Sequence, residues 1–191
     1  MNIETFTIPS LKTHKEVSEF CKNKLKEICE KQYGYVVTPE NMGKNEHGKP
    51  YFIDVENVHF NISHSKDMGA IVVDDEPCGV DIEQIREVKM SIAKRFFAIE
   101  ETEWIMKASD EEERSLRFFT VWTGKEAYTK RLGCGLTIKM DSFSVLSEEI
   151  SPKLKYFQTN NYLVCVCSVK NVTHCLTAMY FQYSNQKTKR G

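Results

Sequence analysis

The order of helical and strand patterns is the feature that most limits how this chain can fold. A helical pattern comes first, short strand patterns follow, two helical stretches come next, and strand patterns close the sequence. Strands grouped in this way pair as antiparallel hairpins, whereas a doubly wound parallel sheet needs strands that alternate with helices. The order therefore predicts an α+β protein with antiparallel sheets.

Capping signals predict the ends of the first helix. Thr13 and Glu16 have the spacing of a capping box, and apolar residues then recur on one face until Gly34 offers a stop. The polar stretch 38–50 that follows is predicted to be turn and loop.

The second helical region is predicted to contain two parts. Residues 89–108 are expected to form a helix that is broken near Ala98. A longer helix is expected to begin at Ser109, with Glu112 completing a capping box, and to end at Gly133. Strands are predicted over 58–63, 70–73, 78–83, 143–146, 154–157, 162–169 and 175–183.

Composition excludes several functional classes. The 191 residues include 26 Lys and Arg and 27 Asp and Glu, a formal net charge of −1, which disfavours a globally basic nucleic-acid binder. The longest apolar runs are much shorter than the roughly 20 residues that cross a bilayer. The start of the chain lacks the pattern of a signal peptide. Seven cysteines, with no C-x-x-C pair, are interpreted as reduced thiols in a cytoplasmic protein.

The segment GVDIE places two carboxylates two residues apart. In a strand, Asp81 and Glu83 project to the same side, while Val80 and Ile82 face the core. Two carboxylates so close repel each other, and a hard divalent cation relieves the repulsion. Mg²⁺ fits best, because it uses few protein carboxylates and leaves places for water and phosphate. The alternative is an acidic strand edge that faces solvent.

A second group of charged residues follows Trp122 on the long helix. Glu126 and Lys130 are one helical turn apart, and Lys125 adds another cation. Trp122 shares a face with Glu126, which indicates that this face is partly covered. A covered carboxylate flanked by lysines suits work on a metal ion and phosphates. The alternative is an ion pair on an exposed helix face.

A third group lies at the end of a predicted strand, in FNISHS. Ser63 and His64 can both donate hydrogen bonds to a phosphate. Lys49 lies before Pro50, which stiffens the loop around it. The alternative is a turn with a hydrogen-bonded histidine. Together the three groups suit a metal-bound substrate rich in phosphate.

The motifs GKP, FNISHS, GVDIE, RFF, WTGKEAYTK and DSFSV occur in that order. Over about residues 48–145 the chain resembles the 4′-phosphopantetheinyl transferases, in the single-chain, pseudo-dimeric branch that activates peptide and polyketide synthetases, such as surfactin synthetase. The resemblance implies two similar α/β halves related by pseudo-two-fold symmetry, each a small antiparallel sheet packed on a helix, with the active site between them. It implies an N-terminal half at 1–76, a C-terminal half with the metal and catalytic residues at 77–183, and a flexible tail at 184–191.

Members of this family transfer 4′-phosphopantetheine from coenzyme A to a serine of an acyl or peptidyl carrier protein and release adenosine 3′,5′-bisphosphate. The resemblance implies the same activity here, with Mg²⁺ as the cofactor and Mn²⁺ as an alternative. It also implies a monomeric cytoplasmic enzyme that acts on neither nucleic acid nor membrane.

The motifs carry roles over to particular residues. Asp81, Glu83 and Glu126 resemble the Mg²⁺ ligands. Glu126 and Lys130 resemble the catalytic pair: Lys130 contacts the phosphates, and Glu126, directly or through a metal-bound water, takes the proton from the carrier serine. The implied coenzyme A contacts are Lys49, Ser63, His64, Lys125 and Lys130. The acidic residue that follows the family's FF pair matches one of three positions: Glu100, Glu101 or Glu103.

The start of the chain departs from the family pattern. The family has an additional stretch there, with a strand and basic residues that help to hold coenzyme A. This chain reaches its first helix by about Thr13, so the first half is abbreviated. Lys12, Lys15 or a neighbouring chain are candidates to supply the missing positive charge.

The resemblance also implies a surface for the carrier protein. Carrier proteins of this type are small helical bundles that are often acidic around the modified serine, so a basic and apolar surface is expected. The candidate residues are Arg86, Lys89, Met90, Ile92, Lys94, Arg95, Phe96 and Phe97. The alternative is an ordinary amphipathic helix with Phe96 and Phe97 in the core.

Two other functions compete with the transferase hypothesis. One is a catalytically weak binding module for coenzyme A or a carrier protein, which the abbreviated N-terminus suggests. The other is a metal-dependent nuclease that uses the same carboxylates, although the sequence contains no extended basic segment for nucleic acid.

Overall fold

The computed structural model describes residues 1–10, 13–170, 174–175 and 179–181. Its strands are β1 (Asn2–Thr7), β2 (Met42–Lys44), β3 (Pro50–Phe52), β4 (His59–Ser65), β5 (Met68–Asp74), β6 (Gly79–Gln84), β7 (Leu154–Thr159), β8 (Tyr162–Cys167), β9 (His174–Cys175) and β10 (Met179–Phe181). Its helices are α1 (His14–Tyr33), α2 (Met90–Phe96), α3 (Ile99–Met106) and α4 (Glu111–Leu132). The prediction of an α+β fold is confirmed. None of these four helices is long and apolar enough to cross a membrane.

Two four-stranded sheets contain most of the strands. The first has the order β4-β5-β1-β9 and is antiparallel except for the pair of β1 with β9, which is parallel. The second has the order β10-β7-β8-β6, and its strand pairs are antiparallel. Strands β2 and β3 form a separate hairpin. The expectation of antiparallel sheets is therefore confirmed, with the β1–β9 pair as the exception.

Three apolar clusters arrange these elements in layers. Alternate residues of β5 point to opposite sides of the first sheet. Ile71 packs with Leu25 of α1 on the outer side, whereas Val72 packs with Val80 of β6 between the two sheets. On the outer side of the second sheet, Cys165 of β8 lies in the cluster that α4 covers. The order of layers is thus α1, first sheet, second sheet, α4.

The limits of α1 follow the predicted signals. The Thr13 backbone N–H donates to the Glu16 carboxylate at 2.8 Å, and the Thr13 hydroxyl accepts from the Glu16 backbone N–H at 3.2 Å. Gly34, with φ of 63°, ends the helix in the left-handed region that favours glycine. The predicted capping box and stop are confirmed.

The N-cap of α4 lies one residue later than predicted. Asp110 is the N-cap, and its carboxylate accepts the Glu113 backbone N–H at 2.8 Å. The Glu113 carboxylate in turn accepts the Ser109 backbone N–H at 2.7 Å. The predicted box of Ser109 with Glu112 is wrong, because aspartate at the extended position directly before the helix takes the capping role.

Two strand regions were not predicted. Strand β1 pairs along its whole length with β5 but is short and has imperfect alternation, so its sequence gives a weak signal. Strands β2 and β3 lie in and beside the stretch 38–50, which was predicted as loop. Three-residue strands are too short to show a period.

One predicted strand is absent from the described structure. Residues 143–146 form no strand, because the Val145 backbone N–H donates to the buried Glu101 carboxylate at 2.7 Å and not to a neighbouring strand. Strands β9 and β10 account for part of the prediction over 175–183, and the tail at 184–191 lies outside the described residues.

The cysteines whose side chains are described are free thiols: Cys21, Cys29, Cys78, Cys134, Cys165 and Cys167.

Candidate active site

The edge strands β4 and β6 of the two sheets meet along their side chains. The Ser63 hydroxyl donates to Asp81 Oδ1 at 2.8 Å, and the Ser65 hydroxyl donates to Glu83 Oε2 at 2.8 Å. These contacts repeat every second residue on both strands, which is the period of side chains along a strand. The prediction that Asp81 and Glu83 project to one side is confirmed.

Helix α4 covers this seam and adds a cation. Lys130 Nζ donates to Asp81 Oδ1 at 2.6 Å and to the Ser63 hydroxyl at 3.1 Å. Asp81 is only 4% exposed, and its second oxygen, Oδ2, is buried without a hydrogen-bond partner among the described residues. A buried carboxylate oxygen that the fold does not satisfy is free to accept a cation or a proton.

Glu126 faces the same carboxylates from one helical turn before Lys130. Its carboxylate is half-buried and makes no hydrogen bond or ion pair with the part of the chain described. Burial raises the pKa of Glu126, the positive charge of Lys130 opposes this, and the charges of Asp81 and Glu83 add to it. Glu126 therefore holds a proton more readily than an ordinary carboxyl group.

Burial dominates the electrostatics of Asp81 as well. The pKa of Asp81 is raised by its removal from water, although Lys130 and the Ser63 hydroxyl favour the charged form. The negative charge of Glu83 raises it further. Carboxylates at this point thus repel one another, and one ammonium compensates only in part.

The predicted metal ligands are close but are not arranged as a finished metal site. Within the described ranges, no three His, Cys, Asp or Glu side chains stand where they could hold a metal ion together. The Lys130 ammonium lies on Asp81, where a metal cation would be expected. The free Asp81 Oδ2 and the uncommitted Glu126 carboxylate still fit Mg²⁺, which takes few protein ligands and keeps water and phosphate oxygens.

A cavity of about 570 Å³ opens beside His64, between α1 and the loops around β2 and β3. Its charged lining is mainly basic: His14, Lys22, Lys26, Lys44 and His64, with Glu19 as the acidic member. The rings of His14 and His64 meet edge to face, with centroids 5.8 Å apart. Partial burial lowers the pKa of His64, and the positive charges of His14 and Lys130 lower it further. An anion in this cavity would relieve that repulsion.

The GKP loop divides its residues between two sides. Gly48 and Pro50 line the cavity beside His64, but Lys49 does not. The Lys49 ammonium donates to the backbone carbonyls of Cys78 at 3.0 Å and Arg131 at 3.3 Å. The structure therefore does not bring the Lys49 side chain together with Ser63 and His64.

Lys125 lies on the opposite side of α4 from the seam. It is 1% exposed and forms an ion pair with Glu101, with Nζ and Oε2 2.7 Å apart. The Lys125 ammonium also donates to the carbonyls of Met140 at 2.7 Å and Phe143 at 2.6 Å. A fully engaged, buried ammonium gives no support for the predicted contact to coenzyme A.

The structure identifies residues that the sequence alone left open or missed. Of the three acidic residues after the FF pair, Glu101 is the one that reaches Lys125. Ser65 and His14 were missed; Ser65 belongs to the same alternating set as Ser63, which is a usable signal. Phe97 is buried, as expected for an ordinary amphipathic helix with this ring in the core. Phe96 is partly exposed, as expected for a carrier-protein surface.

A comparison with known proteins matches the part of the chain that carries most of this site. The ACPS family model, described as the 4′-phosphopantetheinyl transferase superfamily, matches residues 77–179, more than half of the chain. The matched part contains Asp81, Glu83, Glu126 and Lys130, whereas Ser63 lies before it.

Individual relatives give the same family. The chain is 36% identical over 121 residues to 4′-phosphopantetheinyl transferase Sfp of Bacillus subtilis (strain 168), covering 63% of this chain and 54% of that protein. It is 42% identical over 100 residues to 4′-phosphopantetheinyl transferase gsp of Aneurinibacillus migulanus, covering 52% and 41%. It is 39% identical over 103 residues to 4′-phosphopantetheinyl transferase psf-1 of Bacillus pumilus, covering 53% and 44%.

The alignments are partial on both sides. The chain spans about half the length of the curated relatives it matches. The family match nevertheless covers β6, α4 and the carboxylates they carry, which are the elements that build the seam. The chain therefore belongs to the 4′-phosphopantetheinyl transferase superfamily.

Proposed function

We propose that this chain transfers 4′-phosphopantetheine from coenzyme A to a serine of an acyl or peptidyl carrier protein and releases adenosine 3′,5′-bisphosphate. The observation that supports this most strongly is the meeting of Ser63, Asp81, Glu126 and Lys130, contributed by three separate motifs, at one seam. Carboxylates beside a cation and a hydroxyl donor suit metal-bound phosphates.

Mg²⁺ is the proposed cofactor, with Mn²⁺ as an alternative, and when bound it neutralises charge on the pyrophosphate. Asp81 and Glu126 are the proposed ligands because each has carboxylate oxygens that the fold leaves uncommitted. Glu83, held by the Ser65 hydroxyl, is the third. The Lys130 ammonium donates to the Ser63 hydroxyl and to the Asp81 carboxylate, and its third N–H is assigned to a substrate phosphate.

Glu126 is the proposed base. Its carboxylate lies at the seam and has no hydrogen-bond or ion-pair partner in the described chain, so it is available to accept a proton. It takes the proton from the carrier serine hydroxyl as the serine oxygen forms its bond to phosphorus. The bond between that phosphorus and the oxygen shared with adenosine 3′,5′-bisphosphate breaks, and the bisphosphate leaves with those electrons.

The basic cavity beside His64 is the proposed site for the nucleotide of coenzyme A. Ser63 and His64 lie at the boundary between this cavity and the seam, where the 3′-phosphate is expected. Helix α1 and β2 contribute Lys22, Lys26 and Lys44 to its lining. These lysines give the cavity positive charge that suits the phosphates of coenzyme A. Lys15 does not line the cavity, and Lys12 lies outside the described residues.

Helices α2 and α3 are the proposed surface for the carrier protein. They expose four large apolar side chains: Ile92, Phe96, Ile99 and Met106. The Arg95 guanidinium lies 5.1 Å from the Phe96 ring centre. Lys89 and Lys94 form no ion pair within the described residues, so their charge is available to an acidic partner.

The remaining expectations are proposed with the function. Two related halves that divide near residue 77 are supported by the presence of two four-stranded sheets, each packed on a long helix. Strand β9 crosses this division, because it follows the second half in sequence and pairs with β1 of the first. A monomer in the cytoplasm is proposed from the family resemblance alone.

Mass spectrometry of an intact carrier protein tests the activity. The full chain is mixed with an apo carrier protein, coenzyme A and Mg²⁺, beside one sample with EDTA and one with the Glu126→Ala variant. A gain of one phosphopantetheine arm that both controls lose is the expected result. A gain that persists in both controls would overturn the proposed roles of the metal and of Glu126.

The second candidate is a binding module for coenzyme A or a carrier protein that transfers slowly or not at all. It is favoured by the partial coverage of the relatives, since the chain spans about half their length. Calorimetry with coenzyme A separates the two candidates. Binding of coenzyme A without transfer to several acyl and peptidyl carriers would support the module.

A further inference from the structure

A second cavity, of about 380 Å³, lies on the far side of the GKP loop from the proposed nucleotide site. It is bounded by the β2–β3 hairpin, β4 and the C-terminal end of α4. Its walls are mostly apolar: Tyr51, Phe52, Ile53, Val55, Val58 and Phe60. Its volume falls in the range of sites for small molecules.

Two cations lie in this cavity without an acidic partner. Lys49 and Arg131 both line it, and neither forms an ion pair within the described residues. Arg131 Nε is buried and has no hydrogen-bond partner in the described part of the chain. Burial lowers the pKa of Lys49, and the positive charge of Arg131 lowers it further.

The charge balance of the lining indicates one negative charge on the occupant. The acidic residue in the lining is Glu56, which is exposed and forms no ion pair with either cation. Two cations and one anion leave a net positive charge of one.

We propose that this cavity binds a small amphipathic carboxylate, with the carboxylate at Lys49 and Arg131 and an aliphatic chain against the apolar walls. A guanidinium presents its N–H groups in the planar arrangement that matches the two oxygens of a carboxylate. The bound anion satisfies Arg131 Nε and separates two like charges. The chain displaces water from aromatic and aliphatic surface.

The site lies on the contact between the β2–β3 hairpin and α4. Asn45 Nδ2 donates to the Gly133 carbonyl at 2.8 Å, and Lys49 donates to the Arg131 carbonyl at the end of α4. A ligand that bridges Lys49 and Arg131 adds to these bonds. Binding to the folded chain alone therefore raises the unfolding temperature.

Octanoate, octanol and acetate are the probes, used with the full chain in thermal denaturation and calorimetry. Octanoate is expected to bind and to raise the unfolding temperature with concentration. Octanol, which lacks the charge, and acetate, which lacks the chain, are expected to bind at least about tenfold more weakly. Equal binding of octanol and octanoate, or no octanoate binding at millimolar concentration, would overturn the proposal.

Two variants locate the site. Arg131→Leu removes the charge and Val58→Trp fills the apolar part, and each is expected to weaken octanoate binding about tenfold or more. Circular dichroism checks that both variants fold, and Arg131→Lys is the charge-retaining control. Octanoate affinity that neither folded variant changes, or octanoate that excess coenzyme A displaces, would place the ligand elsewhere and refute the proposal.

Discussion

Two neighbouring residues of α4, Lys125 and Glu126, show how differently one helix treats its charged side chains. Lys125 points to α3 and pairs with the fully buried Glu101. Glu126 points to the seam between β4 and β6, where Asp81 and Lys130 lie. Adjacent residues on a helix are about 100° apart, so the two faces belong to different surroundings.

The Lys125 side is closed and fully satisfied. Glu101 accepts the backbone N–H groups of Ala98 at 2.8 Å and Val145 at 2.7 Å, in addition to Lys125. Burial raises the pKa of Glu101 and lowers that of Lys125, and their mutual attraction opposes both shifts. The fold itself thus supplies three partners for the Glu101 carboxylate.

The Glu126 side is left incomplete. Asp81 Oδ2 has no partner in the described chain, and the Glu126 carboxylate has none either. The Lys130 side chain is 28% exposed and that of Asp81 only 6%, so solvent reaches this pair from the lysine side. A satisfied polar network such as that of Lys125 holds the fold together, whereas the unsatisfied groups at Glu126 are where a ligand is proposed to bind.

The largest expected effect is on transfer. Glu126→Gln should slow phosphopantetheine transfer by about 10²- to 10⁴-fold, because a proton acceptor and a proposed metal ligand are lost together. The free energy of unfolding should change by less than about 1 kcal/mol, because the Glu126 carboxylate makes no hydrogen bond or ion pair with the described chain. Initial rates with an apo carrier protein measure the first, and urea unfolding measures the second. Glu112→Gln, at the exposed start of the same helix, is the matched control and should keep full activity.

The next effect is on stability. Lys125→Met should lower the free energy of unfolding by about 3–5 kcal/mol, because it leaves the Glu101 carboxylate buried without its counter-charge. Lys130→Met, the same substitution on the incomplete side, should cost less, because the Lys130 side chain is 28% exposed and Asp81 keeps its hydrogen bond from the Ser63 hydroxyl. Urea denaturation compares the two variants. Equal losses would contradict the distinction between the two sides of α4.

A pH effect tests the buried carboxylate of the incomplete side. The folded-state pKa of Asp81 is raised by burial above that of the unfolded chain, so its stabilising contribution is present at low pH and is lost as pH rises through the folded pKa. Asp81→Asn removes that loss. The variant should gain stability relative to the parent chain between pH 3 and pH 7, measured by urea unfolding at each pH. A relative stability that falls as pH rises would show that the Lys130 pair outweighs burial.

The smallest effect concerns the histidine pair. His14→Gln removes a positive charge and some packing beside His64, so the lowered pKa of His64 should move up toward its ordinary value of about 6.5. Titration of the His64 ring by NMR measures this shift directly. An unchanged or lower pKa would mean that His14 does not act on His64 in solution.

The sequence predicts those parts of the site that depend on local periodicity. The two-residue period of a strand is enough to place Asp81 and Glu83 on one side, and the helical turn is enough to place Lys130 beside Glu126. The family resemblance, which rests on the order of the motifs, then assigns Ser63 to the same site. These relations need no knowledge of distant contacts.

Other parts depend on contacts between distant segments. The partner of Lys125 is 24 positions earlier in the chain, so no local pattern separates a buried lysine from a phosphate-binding one. Residues 143–146 have strand composition, but they form no strand, and the Val145 backbone N–H donates to the Glu101 carboxylate. Lys49 has the expected loop around it, yet its side chain turns to the end of α4. Tertiary structure decided each case.

The most direct test compares Glu126→Gln and Lys125→Met in one assay, with transfer to the carrier protein and the folded fraction measured on the same samples. We expect Glu126→Gln to be folded but to transfer at least about 100-fold more slowly than the parent chain. We expect Lys125→Met to lose activity only in proportion to its unfolded fraction. A folded Glu126→Gln that transfers at the parent rate would contradict the proposed role of Glu126, and a folded but inactive Lys125→Met would contradict the structural role of Lys125.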